Sequence, residues 1–226
     1  MDFYKKNVTC NLSKSEIKGH VDFDIIFGIK SKKILNKSEL IKINECKKLN
    51  ISRNWIKTFS NVPPQVEVLD CESNKLKNLP ELPEGLKYLY CGHNYIEELN
   101  NLPPNLTHLI CSDNKIVRLE NLPFELKFLN CSCNKLINLD YLPNGLEHLM
   151  CYFNEIETMD TLPTTLVELE CDHNKIKFLN ELPKSIKKLS CGSNPDLSID
   201  KLPKINKIFI SKELNVDLTG VKVIVR

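Results

Sequence analysis

With 226 residues, 42% of them apolar and 27% charged, the chain has the composition of a folded globular protein rather than a disordered one. Its net charge of +2, with Lys interleaved among Glu and Asp, argues against the concentrated basic stripe of a nucleic-acid binder. No apolar run approaches the roughly 18 residues that cross a bilayer, so no membrane partner is expected.

The opening Met1-Asp2-Phe3-Tyr4-Lys5-Lys6 runs on into polar residues without the apolar core of a secretory signal. Ten cysteines without an export signal imply free thiols in a reducing compartment, and hence a cytoplasmic location. The chain has no Ala, far more Lys than Arg, and abundant Asn and Ile, the composition expected of an A+T-rich genome.

Residues 1–41 carry no periodic register. They include an apolar stretch, Val21 to Ile29, followed by a helix-like Lys37–Lys47, and are expected to form an irregular N-terminal cap. A degenerate first repeat follows in Cys46, Leu49, Ile51, Asn54, Ile56 and Phe59. From there one fixed step governs the chain. Cys71, Cys91, Cys111, Cys131, Cys151, Cys171 and Cys191 keep it without a slip, and columns from Asn74 to Asn194 and from Pro63 to Pro203 keep the same step. One unit reads Leu86-x-x-Leu89-x-Cys91-x-x-Asn94-x-Ile96-x-x-Leu99-x-x-Leu102-Pro103. The repeats are expected to occupy residues 42–211 as about eight units, with residues 212–226, including Val221–Val225, as a C-terminal capping strand.

The residues around Leu89 alternate inward and outward as a short strand does, and stacked units lay such strands in parallel about 4.8 Å apart. Each Asn of the Asn94 column is expected to turn inward and bond the backbone of the bend, because a buried amide needs partners. So short a unit leaves no room for an ordinary helix, and the Leu-Pro step suits an extended return segment.

The unit matches the leucine-rich repeat L-x-x-L-x-L-x-x-N/C-x-L, with Cys in place of the third leucine. Leu79-Pro80-Glu81-Leu82-Pro83-Glu84-Gly85-Leu86 resembles the short repeats of bacterial effectors, and the cysteine column resembles repeat proteins of giant DNA viruses of amoebae. The resemblance implies a leucine-rich-repeat solenoid, a curved right-handed horseshoe with a parallel β-sheet on its concave face and extended or 3-10 convex segments. It also implies an intracellular interaction protein, viral in origin if the second likeness holds. Effector repeats of this kind are fused to a ubiquitin-ligase domain. Only positions 212–226 follow the last repeat here, so a remnant lacking that domain is the weakest of the readings.

The cysteine column has three readings. As small apolar residues the thiols fill the core. Zinc needs about four ligands converging in a tetrahedron, which a linear ladder does not supply. Disulfides between rungs are within Cα reach, but parallel side chains would strain the bond and an odd column leaves one thiol over. Reduced thiols and no metal or other cofactor are expected. Cys133, in a loop column expected to be exposed, has Asp113 and Phe153 as column neighbours and no base beside it, so no enzyme activity is expected.

The register also predicts which side chains face outward on the sheet. One column runs Val68, Tyr88, His108, Phe128, His148, Glu168, Lys188, and a second runs Asp70, Tyr90, Ile110, Asn130, Met150, Glu170, Ser190. A loop column holds His93, Asp113, Cys133, Phe153 and His173, with Tyr152 adjacent. Tyr88, Tyr90, His93, His108, Ile110, Phe128, His148, Met150, Tyr152 and Phe153, bordered by Glu168 and Glu170, make the candidate binding patch. Exposed aromatics in one patch mark protein-binding surfaces, whereas aromatics that only pack across strands stabilise the sheet. His108 and His148, about 10 Å apart, are too distant to share a metal ion. The expected function is therefore a non-catalytic module that binds a protein or peptide, with a host protein as one candidate. A structural or self-associating protein is the alternative.

Overall fold

The computed structural model describes residues 8–11, 18–22, 46–159, 161–179, 181–199, 202–203, 205, 207–210 and 222–225. Thirteen strands follow one another: β1 Val8–Asn11, β2 Lys18–Asp22, β3 Cys46–Asn50, β4 Trp55–Ser60, β5 Val68–Asp70, β6 Tyr88–Tyr90, β7 His108–Ile110, β8 Phe128–Asn130, β9 His148–Met150, β10 Glu168–Glu170, β11 Lys188–Ser190, β12 Lys207–Ile210 and β13 Lys222–Val225. Eleven form one sheet in the order β1-β3-β5-β6-β7-β8-β9-β10-β11-β12-β13, every neighbouring pair parallel. A second, two-stranded parallel sheet joins β2 to β4. No helix, α or 3-10, occurs among the described residues.

Each short strand buries its middle residue and leaves its two neighbours partly covered. Leu49, Leu69, Leu89, Leu109, Leu129, Leu149, Leu169, Leu189 and Ile208 therefore stack in register through the sheet. Parallel columns from Val66 to Ile186, Cys71 to Cys191 and Leu76 to Ile176 complete an interior in which almost every member is fully buried. Ile51 occupies the cysteine position of the degenerate first repeat and is equally buried.

The asparagines turn inward as expected. Asn94 Nδ2 donates to the carbonyls of Cys71, Cys91 and Gly92 at 3.0–3.1 Å, and its Oδ1 accepts the Leu76 N–H at 3.0 Å. One side chain thus fastens its own coil to the preceding one, and Asn74, Asn114, Asn134, Asn154, Asn174 and Asn194 repeat the arrangement. On the return side, proline carbonyls accept one N–H three residues on, as Pro83 does from Leu86 at 3.0 Å. Of the two return geometries expected, extended or 3-10, the chain takes the extended one with this lone turn, because a single i→i+3 bond ends where the next strand begins.

The helix-like Lys37–Lys47 is corrected at its end: Cys46 and Lys47 belong to β3, where backbone pairing with the neighbouring strand overrides local propensity. The rest of that segment, and of Val21 to Ile29 beyond β2, lies outside the described residues. β1 and β2 pair with β3 and β4, adding a rung to each sheet, although the sequence shows no periodicity there.

The bend after each cysteine places one residue in the left-handed region. Arg53, Ser73, His93, Asp113, Cys133, Phe153, His173 and Ser193 all have φ between 52° and 56°. None is glycine, and a side chain in this conformation costs about 1–2 kcal/mol. Ser73→Gly is expected to raise stability by about 1 kcal/mol. Urea unfolding of wild type and variant would check it, and an unchanged or lower midpoint would contradict the strain.

Candidate functional site

On the outward side of the long sheet, register places Tyr88, His108, Phe128 and His148 in one column. Their rings form a continuous run. Tyr88 stacks on His108 at 4.5 Å and 26°, His108 on Phe128 at 5.8 Å and 15°, and Phe128 tilts against His148 at 6.1 Å. The column then turns ionic: His148 Nδ1 lies 3.5 Å from Glu168, and Lys188 bridges Glu168 at 3.9 Å and Glu170 at 2.5 Å. The second column aligns Tyr90, Ile110, Asn130, Met150 and Glu170 beside it. In the loop column His93 faces Asp113 at 3.6 Å, and Phe153 stacks on His173 at 4.1 Å and 7°. Tyr152 meets Phe153 edge-on at 6.0 Å.

The structure thus brings these side chains onto one face, with a correction to their exposure. Tyr88, Tyr90, His108, Ile110, Phe128, His148, Met150, Tyr152, Glu168 and Glu170 are half-buried, as is Cys133, and only His93 and Phe153 are open. Adjacent parallel strands bring outward side chains close enough to cover one another. Ser190, expected outside, is buried outright.

Of this face, Glu72, Gly92, Ser112 and Ser132 went unnoticed in the sequence. Alternation continues past each cysteine, giving a third outward column of Glu72, Gly92, Ser112, Ser132, Tyr152 and Asp172. Asp70 and Glu72 also border the aromatic run opposite Glu168 and Glu170. Continuing the alternation one step would have found them.

Burial lowers the His108 pKa, with a smaller contribution from His148, so His108 is neutral at pH 7. The seven inward thiols from Cys71 to Cys191 are unbridged, and burial pushes each upward, Cys131 and Cys191 to about 12. Cys133 is also raised, by burial and then by Asp113, the reverse of what activates a thiol nucleophile. Among the described residues no three His, Cys, Asp or Glu side chains are grouped to hold a metal ion, and no helix is long and apolar enough to cross a membrane. At one end of the face Lys47, Lys48, Glu67, Val68, Tyr88 and Tyr90 line a recess of about 320 Å³.

A parallel sheet advancing one strand per repeat, braced by an inward asparagine in each coil, defines a leucine-rich-repeat solenoid. No family model and no curated protein matches the sequence, but solved structures do. YopM from Yersinia enterocolitica WA-314 is similar at 30% identity and TM-score 0.65, over 81% of this chain and 47% of that one. A Shigella effector leucine-rich-repeat domain matches at 27% and 0.61, over 85% and 86%. The functional domain of InlJ from Listeria monocytogenes, described as including a cysteine ladder, matches at 25% and 0.64, over 84% and 51%. The chain therefore spans about half the length of YopM and of the InlJ domain.

Proposed function

We propose that this chain is a non-catalytic interaction module that engages a protein or peptide on the outward, concave face of its long sheet. The observation that carries the reading is the ring column Tyr88–His108–Phe128–His148, flanked by Phe153. Phe153 is 52% exposed and sits at φ 53°. Its ring stacks on His173 and otherwise stands open, an aromatic surface that a partner can cover. Elsewhere in the coil left-handed residues recur at Asn61, Asn101, Asn121 and Tyr141. The buried, unbridged thiols support a reducing compartment as the site of action.

The test is capture from host lysate by wild type and by a Tyr90→Glu, Phe128→Glu, Phe153→Glu variant whose fold is checked by circular dichroism. Anchors of this kind each contribute about 2 kcal/mol or more, so the variant is expected to lose the partner. Equal capture by both proteins would remove the face from consideration. Self-association is the competing outcome, read as a mass that rises with concentration in size-exclusion runs of the wild type.

A further inference from the structure

The outward face is charged unlike the rest of the chain. Over the six coils from β5 to β10, its three columns hold five carboxylates, Asp70, Glu72, Glu168, Glu170 and Asp172, and no Lys or Arg. The whole chain, by contrast, carries +2. The carboxylates lie only at the two ends. The four coils between present aromatic, aliphatic and small polar groups, with His108 neutral at pH 7.

The Tyr88 column is continued by Lys48 beyond Val68 and by Lys188 and Lys207 beyond Glu168, so cations flank both acidic ends and offset them in part. Lys188 is shared between Glu168 and Glu170. Asp172 accepts the Gly192 N–H, and Asp70 accepts the N–H of Glu72, so both are positioned but not neutralised. Arg53 and His93 stand near Glu72, whose carboxyl burial and Asp70 hold above its ordinary range. In the flanking column Lys87 and Lys127 are already occupied by Glu67 and Glu147.

A second observation is independent of charge. Among the described residues two buried side-chain polar atoms lack a hydrogen-bond partner, the hydroxyls of Ser132 and Ser190. Both belong to outward columns, Ser132 at the centre of the floor and Ser190 beyond its acidic end, while the inward asparagines are saturated. Buried hydroxyls are rarely left unpaired in a surface that is complete by itself.

Resting on the interaction reading above, we propose that the partner is a cationic peptide segment lying extended across the strands, with Lys or Arg at each end of an apolar or aromatic middle. Carboxylates at both ends bind the cations through charge-assisted hydrogen bonds, and the ring column takes the middle. The ends are five rungs apart, about 24 Å at the strand spacing. An extended chain covers that distance in about seven residues.

The experiment selects peptides from a phage-displayed random library on the whole chain. Affinities of the enriched peptides, made synthetically, are then measured by fluorescence anisotropy at two salt concentrations. Two variants are compared, each checked by circular dichroism. One neutralises charge (Asp70→Asn, Glu72→Gln, Glu168→Gln, Glu170→Gln, Asp172→Asn), and the other truncates rings (Tyr90→Ala, Phe128→Ala, Phe153→Ala). Expected is enrichment of Lys or Arg about seven residues apart around an apolar middle, with affinity falling about tenfold or more, and salt dependence flattening, in the neutral variant. Selection without that bias, or equal binding by the neutral variant, overturns the cationic partner while leaving the face. Failure to select any peptide, or equal binding by the ring-truncated variant, overturns the face itself and the partner with it.

Discussion

Raised from about pH 8 to about pH 10 under reducing conditions, the chain is expected to lose on the order of 10 kcal/mol of folding stability, enough to unfold a domain of ordinary stability. The cause is the column of seven buried thiols. Burial holds their folded-state pKa values far above 9, so the native protein keeps every proton. The unfolded chain releases them near the ordinary value. An acid whose folded pKa is raised contributes its full stability below the unfolded pKa and loses it as pH climbs above. Each thiol is then worth about 1.4 kcal/mol per pH unit.

Circular dichroism and thiolate absorbance followed together against pH would show a single transition in which secondary structure falls as thiolate appears. The triple variant Cys111→Ala, Cys131→Ala, Cys151→Ala leaves four of the seven titrating thiols. The slope of stability against pH above 9 should drop in that proportion. A fold that survives to about pH 11 with its thiols silent, or a slope unchanged in the variant, would refute the linkage.

The second large effect belongs to the asparagine column. Asn94→Ala is expected to cost about 2 kcal/mol, because it strands the Leu76 N–H in a buried bend and takes one of two donors from the carbonyls of Cys71, Cys91 and Gly92, which keep Asn74, Asn114 and the Ser73 N–H. In a solenoid each coil is stabilised by its neighbours, so a lesion between coils weakens their coupling as well as total stability. Urea unfolding should therefore show a lowered midpoint and a broadened or divided transition. A loss below about 1 kcal/mol would mean that water replaces the amide readily.

The interior was readable in the sequence because inward positions answer to one constraint, the fixed length of the repeat. Leu89, Cys91 and Asn94 each stand where that step puts them. The outward face was legible as a register but not as a surface. Half-burial of Tyr88 or Phe128 depends on how close the adjacent strand's side chains approach, which no single repeat reveals. Ser190 is the same lesson in stronger form, a polar residue on an outward column that its neighbours close over. The pairing of Val8–Asn11 with β3 was illegible for another reason: backbone hydrogen bonds set it, and its sequence breaks the repeating pattern. Local propensity misled at Cys46 and Lys47 because strand pairing is a long-range term that helical patterning does not see.

From β5 to β11 each pairing recurs at an identical step, so the coil is a unit of length that can be counted. Duplicating or excising one repeat in frame leaves every asparagine, cysteine and leucine facing an equivalent neighbour. What changes is the span between Asp70 and Glu170, by one strand spacing at a time. Recombination between repeats thus works as a vernier on length: it alters the distance between the two acidic ends while the residues at each end, and the fold that carries them, stay as they were.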